Sequence, residues 1–282
     1  EKGTGFLRFF VRMMKIYLLW SAVYISLSFA VNVLLNGENA GEAVLGYVKN
    51  FFFVGSYWHL WYMVGLIYAL CLTALFYKIA KERGLQILLG ISIVFFVFGA
   101  LCYAYTPLME RITWLRPYLD ASWFSSFSEI MCLGIPCFIW GYAVVLFQQK
   151  NAMNPKRDGR LLILSLILYT VEFWSIVGLT GNTHIRSLLS THLVTFFLML
   201  VLLEHPASTW EKQGLLCKDY STYLYLAHPL FIAILSAGQD MIGMQQPAAL
   251  YVLEVLAFTL FSRVVLQWCR QFRVRRRGTN EK

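Results

Sequence analysis

Tyr57 to Tyr77 read YWHLWYMVGLIYALCLTALFY, and this segment decides the fold class. It is about as long as a helix that crosses the hydrocarbon core of a bilayer, and it contains no Asp, Glu, Lys or Arg. The Trp and Tyr residues at its start, including Trp61, are typical of the boundary between membrane and water. His59 is different, because an ionisable side chain is costly in a membrane, so it marks this end of the helix as a candidate site.

The composition of the whole chain also indicates a membrane protein. Of its 282 residues, 59% are hydrophobic and only 14% are charged, whereas about 25% are charged in an average soluble domain. We therefore predict an all-α fold, a polytopic transmembrane helix bundle that forms a single domain over residues 1–282. About eight spans are predicted, with a short amphipathic or re-entrant segment that ends at Ser56 between the first two. The spans lie at about Met14–Leu35, Tyr57–Tyr77, Leu85–Tyr105, Glu129–Phe147, Leu161–Leu179, Ser187–Leu203, Tyr220–Ala237 and Pro247–Trp268.

The distribution of positive charge predicts the topology. The net charge is +9, but the basic residues lie at the ends of spans, where orientation and anionic lipid explain them better than nucleic acid does. If both termini face one side, that side holds every one of the 24 Lys and Arg residues except Lys49, Arg111, Arg116 and Arg186. The positive-inside rule then places both termini in the cytoplasm and His59 at the outer end of its span. Membrane lipid is the predicted partner, and nucleic acid is not one.

The six cysteines include no CxxC pair, and most lie within apolar spans. We therefore interpret them as small buried hydrophobic residues, and we predict neither a disulfide framework nor a metal site. The chain also has no GxSxG, HExxH, P-loop or dinucleotide-binding motif.

Basic residues at the start of the first span form the first candidate site. Arg8, Arg12 and Lys15 are spaced three and four residues apart, so they share one face of a helix. Such a face can clamp the phosphates of a cofactor, although the spacing alone favours ordinary anchoring of a span at the cytoplasmic surface.

Ionisable residues within the spans are the other candidates. His59 either bonds a backbone carbonyl or lines a cavity, where it would orient a hydroxyl or transfer a proton. Glu172 lies in the middle of ILYTVEFWSIV and needs a donor or a cation, for which His59 and His192 are candidates. His228, before Pro229, belongs either to a kinked packing helix or to a site.

Four segments, in order, resemble helices of the integral-membrane acyltransferase family 3, which are bacterial O-acyltransferases of surface polysaccharides. They are FVRMMKIYLLWSAVY, WHLWYMVGLIYAL, GIPCFIWGY and STYLYLAHPL. The membrane half of the vancomycin-resistance serine racemases is similar in further details. It shares HLWY, a Glu in the fifth span and a HPxxTW linker, which is His205–Trp210 in this chain.

The resemblance implies a specific reaction in the bacterial cytoplasmic membrane. Acyl-CoA, in the form of acetyl-CoA, would donate its acyl group from the cytoplasm to a hydroxyl of a cell-surface glycan, with no metal. Arg12 and Lys15, with Arg8 beside them, match the motif that contacts the CoA phosphates. The substrate cavity would be formed by His59, Trp61, Glu172, Tyr223 and His228.

The resemblance also implies differences from the family. The family has about ten spans, and this chain resembles it from the third onward, so two helices and the catalytic His motif are expected upstream of Glu1, with a fused domain as another possibility. No catalytic residue is therefore assigned within the chain. Ser128-Glu129 also stands where the family has Arg-Asn, so acceptor binding is expected to differ.

Two alternatives to a complete enzyme remain open at this point. One is a membrane module that transports or senses a small amino acid such as serine, without acyl chemistry, as the racemase resemblance suggests. The other is a truncated and inactive gene product, because the loss of two packing helices would expose surfaces built to contact each other.

Overall fold

The fold is described by a computed structural model for residues 2–109, 112–113, 128–150, 154–181, 185, 187–204, 211–243 and 247–279. These residues are largely helical and contain no β-strand, which confirms the predicted all-α class. The helices are α1 (Lys2–Phe29), α2 (Ala40–Phe53), α3 (Trp61–Tyr103), α4 (Thr106–Met109), α5 (Ile135–Gln149), α6 (Pro155–Thr180), α7 (Leu189–Glu204), α8 (Glu211–Ile242) and α9 (Ala248–Thr279). Two π-helical segments, Ala30–Leu35 and Glu129–Gly134, continue α1 and precede α5.

Six of the described helical segments are long and apolar enough to cross a membrane, which confirms a transmembrane bundle. They are Gly5–Leu34, Trp61–Tyr103, Glu129–Gln149, Pro155–Thr180, Cys217–Gln239 and Ala248–Trp268. Helix α7 is apolar but shorter. The orientation of the termini stays a prediction.

The chain divides into two compact units, Glu1–Pro206 and Ala207–Lys282. The first contains α1 to α7, and the second contains α8 and α9, which pack against each other as a helical pair. The single domain predicted for residues 1–282 stays a prediction.

Helix α3 is a hairpin of two arms rather than one straight helix. Its backbone leaves the helical conformation at Ala80 and at Lys81, where φ is +50°. Gly65 and Gly99 both lie against the π-helical segment Glu129–Gly134, although a straight helix would separate them by about 50 Å. The two arms are therefore Trp61–Ile79 and Glu82–Tyr103, and they correspond to the second and third predicted spans.

The hairpin determines which residues share an end of the first unit. Because its arms run in opposite directions, Trp61 and Tyr103 lie at the same end, and the basic turn from Lys78 to Arg83 lies at the other. Gly84 makes this turn possible, since an added Cβ would overlap the backbone carbonyl of Phe76.

Helix α2 folds back along α1. In the middle of α2, the Tyr47 hydroxyl lies 3.5 Å from the Asn32 side-chain amide, which donates to it. Near the end of α2, the Tyr17 hydroxyl donates to the carbonyl of Phe51 at 2.5 Å. The two helices are therefore antiparallel, and α2 ends beside the middle of α1, which favours the re-entrant alternative for this segment.

Two tyrosines supply donors to the end of α2. The last carbonyls of a helix have no partner within the helix, and the bilayer core has no water to offer one. Tyr17 on α1 donates to Phe51, and Tyr68 on α3 donates to the carbonyl of Phe52 at 2.5 Å. These bonds connect the tip of the re-entrant helix to both of its neighbours.

Replacing either tyrosine by phenylalanine tests this arrangement. Tyr17→Phe and Tyr68→Phe are each expected to lower the free energy of unfolding by about 1–3 kcal/mol, because a carbonyl in an apolar environment loses its donor. Unfolding of the purified protein in mixed micelles measures the change. Tyr169→Phe is the matched control, because Tyr169 is exposed on α6; equal stability of all three variants would contradict the role of these bonds.

Two alanine substitutions test the hairpin. Gly84→Ala is expected to cost at least about 2 kcal/mol, since the overlapping atom belongs to the backbone and cannot rotate away. Gly90→Ala lies on the same arm and meets no atom within 4 Å, so it should preserve or slightly raise the thermal midpoint. Indistinguishable melting of the two variants would contradict the tight turn.

Candidate functional site

His59 is buried in an aromatic cluster at the start of α3. Its side chain is 3% exposed, and its ring centroid lies 4.9 Å from that of Tyr24, 5.7 Å from that of Tyr57 and 5.6 Å from that of Trp58. The three rings present themselves edge-on to the imidazole. His59 is therefore enclosed by aromatic rings within the first unit rather than exposed at a membrane surface.

A tight turn between α2 and α3 delivers His59 to this position. Gly55 has φ +101°, and an added Cβ would lie 2.7 Å from the backbone of Leu60 and Trp61, so only glycine fits. The Ser56 hydroxyl donates to that of Ser21 at 2.7 Å, which ties the turn to α1.

Trp61, the neighbouring candidate, points toward a different helix. A Cβ added at Gly134 would lie 3.5 Å from the indole of Trp61, so this ring covers the end of the π-helical segment. The structure therefore places Trp61 near His59 in the chain but against the π-helical segment that precedes α5.

The basic face of α1 lies opposite the His59 cluster. Tyr17, Ser21 and Tyr24 are at most 2% exposed, and all three lie on the side of α1 that contacts the turn before α3. At 100° per residue, Arg12 and Lys15 project from the other side, where both are exposed. Arg8 is exposed on the same face as these two, as predicted. The structure thus gathers the three basic residues but does not bring them to the side that holds His59.

Glu172 connects α6 to the start of α7. Its Oε1 accepts the hydroxyl of Tyr105 and the backbone N–H of Leu189, both at 2.7 Å. Its Oε2 accepts the backbone N–H of Ser190 at 2.9 Å and also the Ser190 hydroxyl. Four donors therefore converge on one carboxylate, which has the geometry of a helix cap.

The donors explain how a carboxylate is tolerated at this position. The Tyr105 hydroxyl and the backbone N–H groups of Leu189 and Ser190 surround the carboxylate, so its oxygens are not left without hydrogen bonds. The hydrogen bonds of Glu172 go to Tyr105, Leu189 and Ser190 rather than to His59 or His192, which the sequence suggested as partners.

Tyr223 and His228 belong to the second unit. The hydroxyls of Tyr223 on α8 and Ser262 on α9 lie 2.9 Å apart, and the guanidinium of Arg263 lies 5.3 Å from the centre of the Tyr223 ring. His228 Nδ1 donates to the carbonyl of Leu224 at 2.9 Å. These contacts agree with the packing alternative for this helix, and a role of Tyr223 and His228 in substrate binding stays a prediction.

Sequence reasoning missed the partners of the predicted residues. The sequence could have indicated Tyr24 as a residue on the buried side of α1, because it shares a helical face with Tyr17 and Ser21. Tyr105 and Ser190 offered no comparable signal, since nothing in their spacing connects them to Glu172. The predicted linker His205–Trp210, together with Arg111, Arg116 and Arg186, lies outside the described residues.

The described residues contain no group of three His, Cys, Asp or Glu side chains placed to hold a metal ion. A protein-family model described as an acyltransferase domain matches residues 3–268, nearly the whole chain. Searches of curated proteins and of solved structures gave no match.

Glu172→Gln tests the cap. The amide would place two donors among groups that also donate, so the free energy of unfolding is expected to fall by about 2 kcal/mol or more. Ser190→Ala removes one of the four donors and should cost less. Chemical unfolding in micelles gives both values, with Glu38→Gln in an exposed loop as the control. If Glu172→Gln and Glu38→Gln have the same free energy of unfolding, the carboxylate does not stabilise the start of α7.

Proposed function

This chain belongs to the acyltransferase 3 family, and we propose that it is an O-acyltransferase that moves an acyl group from acyl-CoA to a hydroxyl of a cell-surface glycan. A membrane acyltransferase follows from the family match together with the apolar helices. The donor, the acceptor and the acetyl group are part of the proposal. The match over residues 3–268 is the observation that carries it.

The proposed reaction needs a nucleophile, a base and a bound thioester. The hydroxyl oxygen of the acceptor attacks the thioester carbonyl while a histidine base takes its proton. The carbon–sulfur bond of the donor then breaks, and the CoA thiolate recovers the proton as it leaves. No metal and no redox step is required.

The basic face of α1 is the proposed contact for the donor. Arg12 and Lys15 are exposed on the same side of α1, with Arg8 one turn away, so their charges are available to a phosphate-bearing molecule. Arg12 can form two parallel bonds to one phosphate, whereas Lys15 acts as a single charge. In the proposed orientation this end of α1 faces the cytoplasm of a bacterial cell, where acyl-CoA is made.

His59 is the proposed contact for the acceptor. It lies at the end of the α3 hairpin opposite the basic turn, so it faces the outer side in the same orientation. An imidazole enclosed by Tyr24, Tyr57 and Trp58 is held in one position, which suits the orientation of a hydroxyl group. Glu172 acts indirectly in this proposal, because it fixes the start of α7 at that end of the unit.

Neutral variants of the basic face test the donor site. Arg12→Gln combined with Lys15→Gln is expected to raise the KM for acyl-CoA about tenfold or more and to change kcat little, because the lost charges act in binding. The assay uses the full-length protein in proteoliposomes. It measures the transfer of the labelled acyl group from acyl-CoA to the surface polysaccharide of the same bacterium.

The matched control is Lys49→Gln, which removes an exposed cation from α2. It should leave the KM for acyl-CoA unchanged. An unchanged KM in the Arg12 and Lys15 variant would contradict the donor site. Uptake of labelled serine by the same vesicles, with no dependence on CoA and no acyl transfer, would instead favour a transport module.

A further inference from the structure

A cavity of about 470 Å³ lies between the two arms of α3 and helix α5. Its volume is within the range of about 300–1,000 Å³ that is usual for small-molecule sites. The cavity is distinct from the His59 cluster and from the basic face of α1. Residues from all three helices line it, including Tyr62, Thr73, Leu85, Leu88, Cys137 and Tyr142.

The cavity contains a thiol with an imidazole behind it. Cys137 is exposed on the cavity wall, and its Sγ lies 4.0 Å from Nε2 of His192 on α7. The interpretation of the cysteines as buried hydrophobic residues is wrong for Cys71, Cys137 and Cys217, which are exposed. The spacing of residues could not reveal the pair, because its two members lie on different helices, far apart in the chain.

The position of His192 is the second observation. The side chain is only 7% exposed, and its Nδ1 has no hydrogen-bond partner among the described residues. Phe96 packs 3.6 Å from the imidazole centre, and Trp140 packs edge-on at 5.2 Å. The rings therefore hold a polar group in an apolar environment, with its Nε2 directed at the thiol. Burying a polar group that lacks a hydrogen bond costs free energy, so its presence in a folded protein calls for an explanation such as a catalytic role.

The cavity extends from the start of α3 toward the basic turn. Tyr62 lines one end, while Leu85 and Tyr142 line the other, next to the turn. The Tyr142 hydroxyl donates to the Glu82 carboxylate in this turn at 2.9 Å. The turn also carries exposed cations, namely Lys78, Lys81 and Arg83.

We propose that Cys137 accepts the acyl group of an acyl thioester and forms an acyl-enzyme. The thiolate sulfur of Cys137 attacks the thioester carbonyl as His192 Nε2 takes the thiol proton. The new carbon–sulfur bond forms, the carbon–sulfur bond of the donor breaks, and the leaving thiolate receives the proton from His192. One thioester replaces another, so no oxidant, reductant or further reactant is needed.

This inference rests on the proposed function, because acyl-CoA is the thioester that it uses, and it divides the direct transfer described there into two steps. In the second step the acceptor hydroxyl attacks the Cys137 thioester as His192 takes its proton, the carbon–sulfur bond to Cys137 breaks, and the Cys137 thiolate recovers the proton from His192. The chemistry matches the pair, since a thiolate is the reactive form of cysteine and an adjacent base generates it. Transfer of the proton directly to His192 also avoids an isolated thiolate in an apolar cavity.

Radiolabelled acyl-CoA and the full chain in lipid nanodiscs test the acyl-enzyme. After an acid quench, the wild type should carry a label that neutral hydroxylamine removes and that peptide mass spectrometry locates at Cys137. Cys137→Ser should abolish this label. Cys71→Ser removes another exposed cysteine, from the first arm of α3, and should leave the label unchanged.

Two further variants separate chemistry from folding. His192→Asn should slow labelling about 100-fold, as expected when a general base is lost, with the protein still monodisperse. Gly141→Leu places a side chain in the cavity where an added Cβ meets no atom within 4 Å, so it should block labelling while Cys137 itself is retained. Gly90→Leu, at an equally open position outside the cavity, should have no effect.

The outcomes distinguish this inference from the function on which it rests. Full transfer of the acyl group to the polysaccharide by Cys137→Ser would overturn the acyl-enzyme and leave the proposed function intact. Labelling of Cys137 without any transfer to a hydroxyl would support the acyl-enzyme and overturn the proposed function. A wild type that acquires no label, or acquires it at another residue, would overturn the inference.

Discussion

The arrangement of the first unit depends on one constraint, the need to satisfy the backbone carbonyls at the end of α2. This helix ends beside the middle of α1, where Tyr17 and Tyr68 donate to its last carbonyls. Because the last carbonyls of a helix have no partner within the helix, these hydroxyls allow the chain to reverse direction there. The reversal returns the chain along α1 and places His59 against Tyr24.

The same constraint explains the other polar groups in this unit. The Glu172 carboxylate accepts hydrogen bonds from the first N–H groups of α7. It therefore satisfies the backbone donors at the start of a helix, just as the two tyrosines satisfy the backbone acceptors at the end of one. Both devices lie at the end of the α3 hairpin that carries Trp61 and Tyr103. Stability and site geometry are therefore coupled, because the bonds that hold α2 and α7 also position the residues proposed to meet the acceptor.

The sequence predicted the elements well because hydrophobic length and charge act locally. The spans on either side of Lys78 and Arg83 were separable, since cations do not lie mid-membrane without a partner. It also predicted that Glu172 needs a donor, but not which one, because Tyr105 and Ser190 come from other elements. The Cys137–His192 pair was out of reach for the same reason. Helix packing determines which helices are neighbours, and the spacing of residues within one helix does not predict it.

The position of α2 is tested most directly by determining on which side of the membrane each of two loops lies. Single cysteines at Glu38 and Lys81, in a protein whose own cysteines are replaced, can be labelled from either face of sealed vesicles with a membrane-impermeant maleimide. If α2 turns back within the bilayer, the loop before it and the turn of the α3 hairpin lie on opposite faces. Labelling of Glu38→Cys and Lys81→Cys from opposite sides is the result expected here. Labelling of both from the same side would mean that α2 crosses the membrane, and it would contradict the position given to His59.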